Sequence, residues 1–375
     1  MEKKTVLVVL VISALLVVGA AAAALLWPAD NEDKVIYWVK VAPVDQKAQL
    51  TAGNIDGGVS WEPYCSDSIV GGVADPLVWS GDFWPSHPCC VIAVNKEFAD
   101  ENQDIVARVV KSHIEATEWI MEAIADKDID DTNYTKLLSM GAAFSNRNAT
   151  VVEASLEHIV LDYSMPQDFS NYLVNFTNDF IELEQTSLAN IQNRGYSSVS
   201  DFVDVFVDES YLALAQSVER VNETIGSVRL GYLNGDLHQF ARVVAMNSTL
   251  WDGTAYEGKN MFEQFGVGMT TPEQFIYDNG AYEMTAFEGG NIDMGYLGSP
   301  PAIIKHLATT LENSDIRIVA QVNSEGSAII VDPSITTIDQ LQGKTLATPG
   351  PGSIQHLMLL AFGKEYGFEI KLAGT

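Results

Sequence analysis

Basic residues are scarce in this chain: 21 Lys and Arg stand against 50 Asp and Glu among 375 residues, for a formal net charge of −29. A face able to neutralise a polyphosphate is not readily built from that balance, which argues against nucleic acid as a partner. It also means that any anion site must be local, made of backbone N–H groups and hydroxyls rather than of net charge. Cysteine is scarce too, with only Cys65, Cys89 and Cys90. Three thiols exclude a disulfide framework and leave two arrangements open: Cys65 bridged to one of the adjacent pair, or all three buried and reduced. Neighbouring cysteines share a tetrahedral zinc site poorly without other ligands, and no histidine has a spacing partner that signals metal. His87, beside Pro88 and Cys89, reads as structural. Neither a Gly-X-Ser-X-Gly elbow nor a Gly-Lys-Ser/Thr phosphate loop occurs, so no cofactor and no metal are expected.

What the chain does have is apolar content, 47% of its residues, enough for a large core divided between two lobes. Its start is distinctive. Met1-Glu2-Lys3-Lys4 precedes an uncharged run of 23 residues from Thr5 to Trp27, followed by Asp30, Glu32 and Asp33. A helix of that length reaches the roughly 30 Å of a bilayer core. Basic residues before it and acidic ones after it place the start inside and the remainder outside. The expectation is a retained anchor over residues 5–27 in a cell-membrane protein. A cleaved signal peptide, giving a secreted or periplasmic protein, is the alternative, because Ala20 to Ala24 offers small residues to a peptidase. Sequons at Asn133, Asn148, Asn175, Asn222 and Asn247 agree with export.

The tetrapeptide Gly-Asn-Ile-Asp occurs at Gly53 to Asp56 and again at Gly290 to Asp293, each time before a glycine and an apolar run. The repeat predicts two related half-folds, each with a helix that ends at the glycine, a turn, and a strand. In open α/β sheets the far ends of such strands are where ligands sit. Around the repeats, strands are expected at Val35 to Val41, Val59 to Trp61, Val91 to Val94, Val228 to Tyr232, Ile316 to Val322, Ala328 to Val331, Gly343 to Ala347 and Phe368 to Leu372. Ile105, Val109, Ile114, Ile120 and Ile124 recur at helical spacing within 101–125, and 134–223 is mostly helical, broken at Pro166 and Gly195.

Three segments carry a resemblance: Leu50-Thr-Ala-Gly-Asn-Ile-Asp-Gly-Gly-Val-Ser-Trp-Glu-Pro-Tyr64, Gly290-Asn-Ile-Asp-Met-Gly-Tyr-Leu-Gly-Ser-Pro-Pro-Ala302, and Leu341-Gln-Gly-Lys-Thr-Leu-Ala-Thr-Pro-Gly-Pro-Gly-Ser353. Together they resemble the solute-binding proteins of ABC importers, specifically the nitrate, sulfonate and taurine family. The resemblance covers nearly everything after residue 33, but with the family's second half first, as in a circular permutant or a chain assembled from fragments of two adjacent binding proteins. It implies an α/β, two-lobed periplasmic-binding-protein fold of type II with a helical extension. The expected division is 1–33 as stub, anchor and linker; 34–90 and 333–375 as two parts of one lobe; and 91–332 as the other lobe, including the helical segment 101–226.

The resemblance also implies a function and a site. The protein would receive a small anion, such as a sulfonate or a taurine-like zwitterion, and deliver it by hinge closure to the permease and ATPase subunits of an importer. The ligand would lie between the lobes against His238, Gln239, Gly298, Ser299, Pro300, Ser327, Gly352, Ser353, Ile354, Trp61 and Glu62. Other roles stay open for several of these. Ser353 would also serve as an N-cap and Gly298-Ser299-Pro300 as an ordinary turn, while Asp236 would cap the helix that begins near His238. Trp61 would suit a core as well as a ligand wall. Glu62 would repel an anion, and would instead meet a ligand amine, a residue of the opposite lobe or a backbone group. No catalytic residue is expected. A membrane-tethered sensor is one alternative. A pyrimidine-precursor synthase is another, since those enzymes share the fold, although Cys89-Cys90 does not match their cysteine-rich motif.

Overall fold

The computed structural model describes residues 34–270, 274–309 and 314–374. The expected span over residues 5–27 lies outside them, and among the described residues no helix is long and apolar enough to cross a membrane. Two mixed sheets organise an α/β structure. The larger has six strands in the order Phe368–Leu372, Lys34–Lys40, Thr345–Thr348, Gly57–Trp61, Ser327–Val331, Asp75–Trp79. Its first four strands are mutually parallel, and Ser327–Val331 runs antiparallel to both of its neighbours. The smaller has five, in the order Ile316–Gln321, Cys90–Asn95, Met294–Gly298, Leu230–Leu233, Ile276–Tyr277, and here Cys90–Asn95 is the antiparallel strand.

Each sheet has its own core. In Ser327–Val331, Ile329 and Val331 face Ile36, Val59, Met358 and Phe362, while Ala328 and Ile330 face Leu50, Ile55 and Cys65. That two-residue alternation between apolar layers is what a strand covered on both faces requires. The smaller sheet is covered by the helical region, led by Gln103–Ala125, whose Ile105, Val109, Ile114 and Ile120 are buried as their spacing predicts. Each such side chain stabilises the fold by about 1.5–3 kcal/mol. The helix Gln167–Glu182 starts directly after Pro166, and Leu188–Asn193 stops just short of Gly195, which has a φ of 90°.

The repeated tetrapeptide forms the same structure twice. Gly53 and Gly290 adopt φ of 69° and 64° after their helices, a conformation that favours glycine. Asp56 and Asp293 then each accept from the backbone N–H of Thr345 and Arg229, both at 2.8 Å, beside the neighbouring parallel strand. In the second copy this interrupts the expected strand Val228 to Tyr232. Val228 pairs with Met269 in a small two-stranded sheet, Arg229 turns to Asp293, and Leu230–Leu233 enters the five-stranded sheet.

The chain passes between the sheets twice, through 80–89 and 322–326. These segments lie side by side: Cys89 N donates to Asn323 O at 3.0 Å, Val322 N to Cys90 O at 2.9 Å, and Glu325 N to His87 O at 3.2 Å. The buried side chain of Asn323 accepts from Cys90 N at 3.0 Å. Because Ser327–Val331 is bonded to Gly57–Trp61, the chain rejoins the larger sheet before Ser327, not after Asp332 as the sequence reading has it. Phe368–Leu372 and Lys34–Lys40 pair in parallel register, Trp38 opposite Leu372, so the first and last described strands lie side by side at one edge of the sheet.

Candidate functional site

A cleft of about 600 Å³, part of it open to solvent, lies between the two sheets. It is built from strand ends, as expected for ligand sites in open α/β sheets. Lys40 and Trp61 end strands of the larger sheet, and the turn Pro349–Ser353 follows a third. From the smaller sheet come Asp236 and His238 after Leu230–Leu233, Asn279 to Tyr282 after Ile276–Tyr277, and Gly298 at the end of its strand. Cys89, which ends the first crossing segment, and Cys90, which begins the strand after it, complete the floor.

Six of the residues expected at the ligand line this cleft: Trp61, His238, Gly298, Gly352, Ser353 and Ile354. The others stand behind it. Gln239 accepts from Leu233 N at 3.0 Å and donates to Tyr296 O at 2.7 Å, tying two strand ends together. The Ser299 hydroxyl donates to Pro88 O at 3.1 Å, and Pro300 is buried beside it in the first turn of Ser299–Ala308. Ser327 accepts from Gln355 Nε2 at 2.9 Å and so positions a residue that does reach the cleft. Glu62 is fully buried and accepts from Ser66 Oγ at 2.8 Å, Ser66 N at 3.1 Å and Ser155 Oγ at 3.1 Å. Burial outweighs those bonds and raises its pKa to about 6.

Local structure explains the roles of the two capping residues. Ser353 Oγ accepts from His356 N at 3.1 Å and donates to Gly350 O at 2.8 Å, so it caps Ile354–Tyr366 while the positive end of that helix faces the cleft. Asp236 accepts from His238 N at 3.0 Å, as its place before Leu237–Gln239 predicts.

The floor holds chemistry that spacing along the chain concealed. Cys89 Sγ lies 3.5 Å from His238 Nδ1 across 149 positions of sequence, and Asp236 Oδ1 lies 3.4 Å from the same nitrogen. His238 Nε2 meets Gly326 O at 2.9 Å. Gly326 has a φ of 80°, and a Cβ there would collide with Nε2, so this approach depends on glycine. All three cysteines are free and buried, and Cys65, which belongs to the larger sheet's core, is bridged to neither of the pair. A hydrogen bond from Cys90, aided by His238, holds Cys89 well below the usual thiol range, while Cys90 is raised. Burial pushes Asp236 up to about 7. Burial alone would lower His238, but the charges of Cys89 and Asp236 overcome it and lift the imidazole to about 9.

Lys40, Asn279, Tyr282 and Gln355 also line the cleft without having been singled out in the sequence. Their common signal is position, at or just beyond a strand end or in the first turn of a helix, rather than residue type. Lys40 Nζ sits 5.7 Å from the centre of the Tyr282 ring, a cation–π contact from one wall to the other.

The family model described as NMT1-like family matches residues 15–132, less than half of the chain. That family belongs with the nitrate, sulfonate and taurine solute-binding proteins, and the mixed α/β structure is consistent with a periplasmic-binding-protein-like fold. The match supports a solute-binding protein or a related pyrimidine-biosynthesis-like domain. No curated protein matches the chain. No solved structure matches it.

Proposed function

We propose that the protein is an extracytoplasmic receptor, held to the cell membrane by residues 5–27, that binds a small anion such as a sulfonate or taurine-like zwitterion and passes it to an ABC importer. The observation that carries this reading is the cleft between two sheets whose only described covalent links are two adjacent crossing segments. Such a pair of links permits hinge closure, and contacts from both walls would stabilise the closed form that the importer recognises. Lys40 and the helix start at Ser353 supply local positive potential in a strongly acidic chain. We read the chain order as a permutation of the family's. The first and last described strands lie side by side in one sheet, so a change of connection between them would leave that sheet's packing intact. A parallel pair would need a crossover of about a dozen residues in the unpermuted chain.

A thermal-shift series against sulfonates, taurine, nitrate, bicarbonate, amino acids and pyrimidines tests the reading. Ligand at 100 times its dissociation constant adds about 2.7 kcal/mol of stability. A saturable shift with an anion supports the receptor; a cooperative melt unmoved by every anion counts against it. The thiol and imidazole in the floor favour a second reading, an enzyme related to the pyrimidine-precursor synthases. The receptor returns its ligand chemically unchanged after prolonged incubation, whereas the enzyme does not.

A further inference from the structure

We propose that the floor of the cleft is a binding site for one zinc-class cation, with Cys89 Sγ, Cys90 Sγ and His238 Nδ1 as ligands and a fourth position open to the cleft. The inference goes beyond solute delivery and stands whether or not the cleft serves a transporter. The three donor atoms all lie within 4.8 Å of one another, and all three residues are buried. A zinc–sulfur bond of about 2.3 Å and a zinc–nitrogen bond of about 2.0–2.1 Å at a tetrahedral angle place sulfur and nitrogen about 3.5 Å apart. Cys89 Sγ and His238 Nδ1 are 3.5 Å apart.

The surroundings are those of a ligating histidine. Nε2 donates to the Gly326 carbonyl at 2.9 Å, so the nitrogen turned to the thiols and to Asp236 is Nδ1, whose proton a bound cation would displace. Two thiolates and a neutral imidazole would neutralise a divalent cation, and their softness selects zinc over magnesium or calcium. Adjacent cysteines alone could not close a tetrahedral site. The fold supplies the third ligand from the short helical turn Leu237–Gln239 that follows Leu230–Leu233, and the three ligand residues all line the cleft, so a donor atom of a solute, or water, can take the remaining position.

The test uses Co(II) as a spectroscopic substitute, titrated into the full chain after reduction and removal of metal, with excess Mg(II) present to occupy surface carboxylates. One equivalent should bind with intense thiolate-to-cobalt charge-transfer absorption and tetrahedral ligand-field bands, both lost on adding one equivalent of Zn(II). Cys89→Ser and Cys90→Ser should each remove about half of the charge-transfer intensity. They should also weaken binding by more than the roughly 10–100-fold that loss of an outer-shell partner costs. His238→Gln should weaken binding while retaining the charge-transfer band, and Cys65→Ser should leave the spectrum unchanged. Independently of any variant, Zn(II) should protect Cys89 and Cys90 of the native chain from alkylation. Absence of binding, cobalt bound without the charge-transfer band, or alkylation indifferent to Zn(II) would each overturn the proposal.

Discussion

Asp56 and Asp293 hold equivalent places in the two sheets: each accepts the backbone N–H of a residue at the base of the adjacent parallel strand, Thr345 and Arg229, at 2.8 Å. Each also meets a basic side chain, Lys344 or Arg229. The equivalence is not energetic. Asp293 is 11% exposed and Asp56 35%, so the second carboxylate works in a less screened setting. Asp293→Ala is expected to cost about 2–3 kcal/mol and Asp56→Ala about 1 kcal/mol, as hydrogen bonds to charged groups do. Urea unfolding of the two variants measures this; the reverse order, or two losses below about 0.5 kcal/mol, would contradict the assignment.

Glu62 makes stability depend on pH in a defined direction. Its folded pKa, about 6, lies above its ordinary 4.5, so the folded state holds the proton more tightly. The resulting stabilisation is fully present below about pH 4.5 and lost as pH rises through about 6, a difference of about 2 kcal/mol. Asp236 slopes the same way over the wider window from about pH 3.8 to about 7. The quantity to measure is therefore the wild-type stability minus that of Glu62→Gln, between pH 4 and 7. A difference that does not change over this range would exclude Glu62 as its source.

Lys40 touches the Tyr282 ring from the opposite wall and is the one Lys or Arg among the described residues that line the cleft. Lys40→Gln should weaken binding of whichever anion shifts the melt by about tenfold, equivalent to about 1.4 kcal/mol. It should also flatten the salt dependence of affinity. Isothermal titration at two ionic strengths checks both, and an unchanged affinity would remove Lys40 from the site.

Ser353 and Ser299 separate by the same two measurements, affinity and melting temperature. The Ser353 hydroxyl is committed to His356 N and Gly350 O, so Ser353→Ala should cost about 1 kcal/mol of stability through the lost cap. Ser299 bonds the crossing segment at Pro88 and does not line the cleft, so Ser299→Ala should change stability and leave intrinsic contacts with the ligand intact. A large loss of affinity in Ser299→Ala without a stability change would reverse its placement.

Local signals are legible in the sequence and distant ones are not. The Gly-Asn-Ile-Asp turns, the Asp236 and Ser353 caps and the stripe along Gln103–Ala125 depend on residues within a turn or two of each other, so their patterns are visible in the chain. The break at Arg229 was invisible because its cause, Asp293, lies in another strand. Glu62, Gln239 and Ser327 lie one layer behind the cleft wall: spacing identifies the strand end, but not whether a side chain faces the cleft or the structure behind it. In the sequence Cys89–Cys90 is an isolated dipeptide, whereas its chemistry depends on His238 and on the freedom of Gly326 to bring a carbonyl against that ring.

Cys89 and Cys90 sit where the first crossing segment meets the smaller sheet, bonded to Asn323 of the second. In the proposed hinge closure, a ligand that reaches the floor would therefore press on the axle about which the two halves would turn, with no need of an intermediate relay. Occupancy and closure would be read by the same few backbone bonds, and a solute too short to touch that axle could be held by either wall without drawing the other one in.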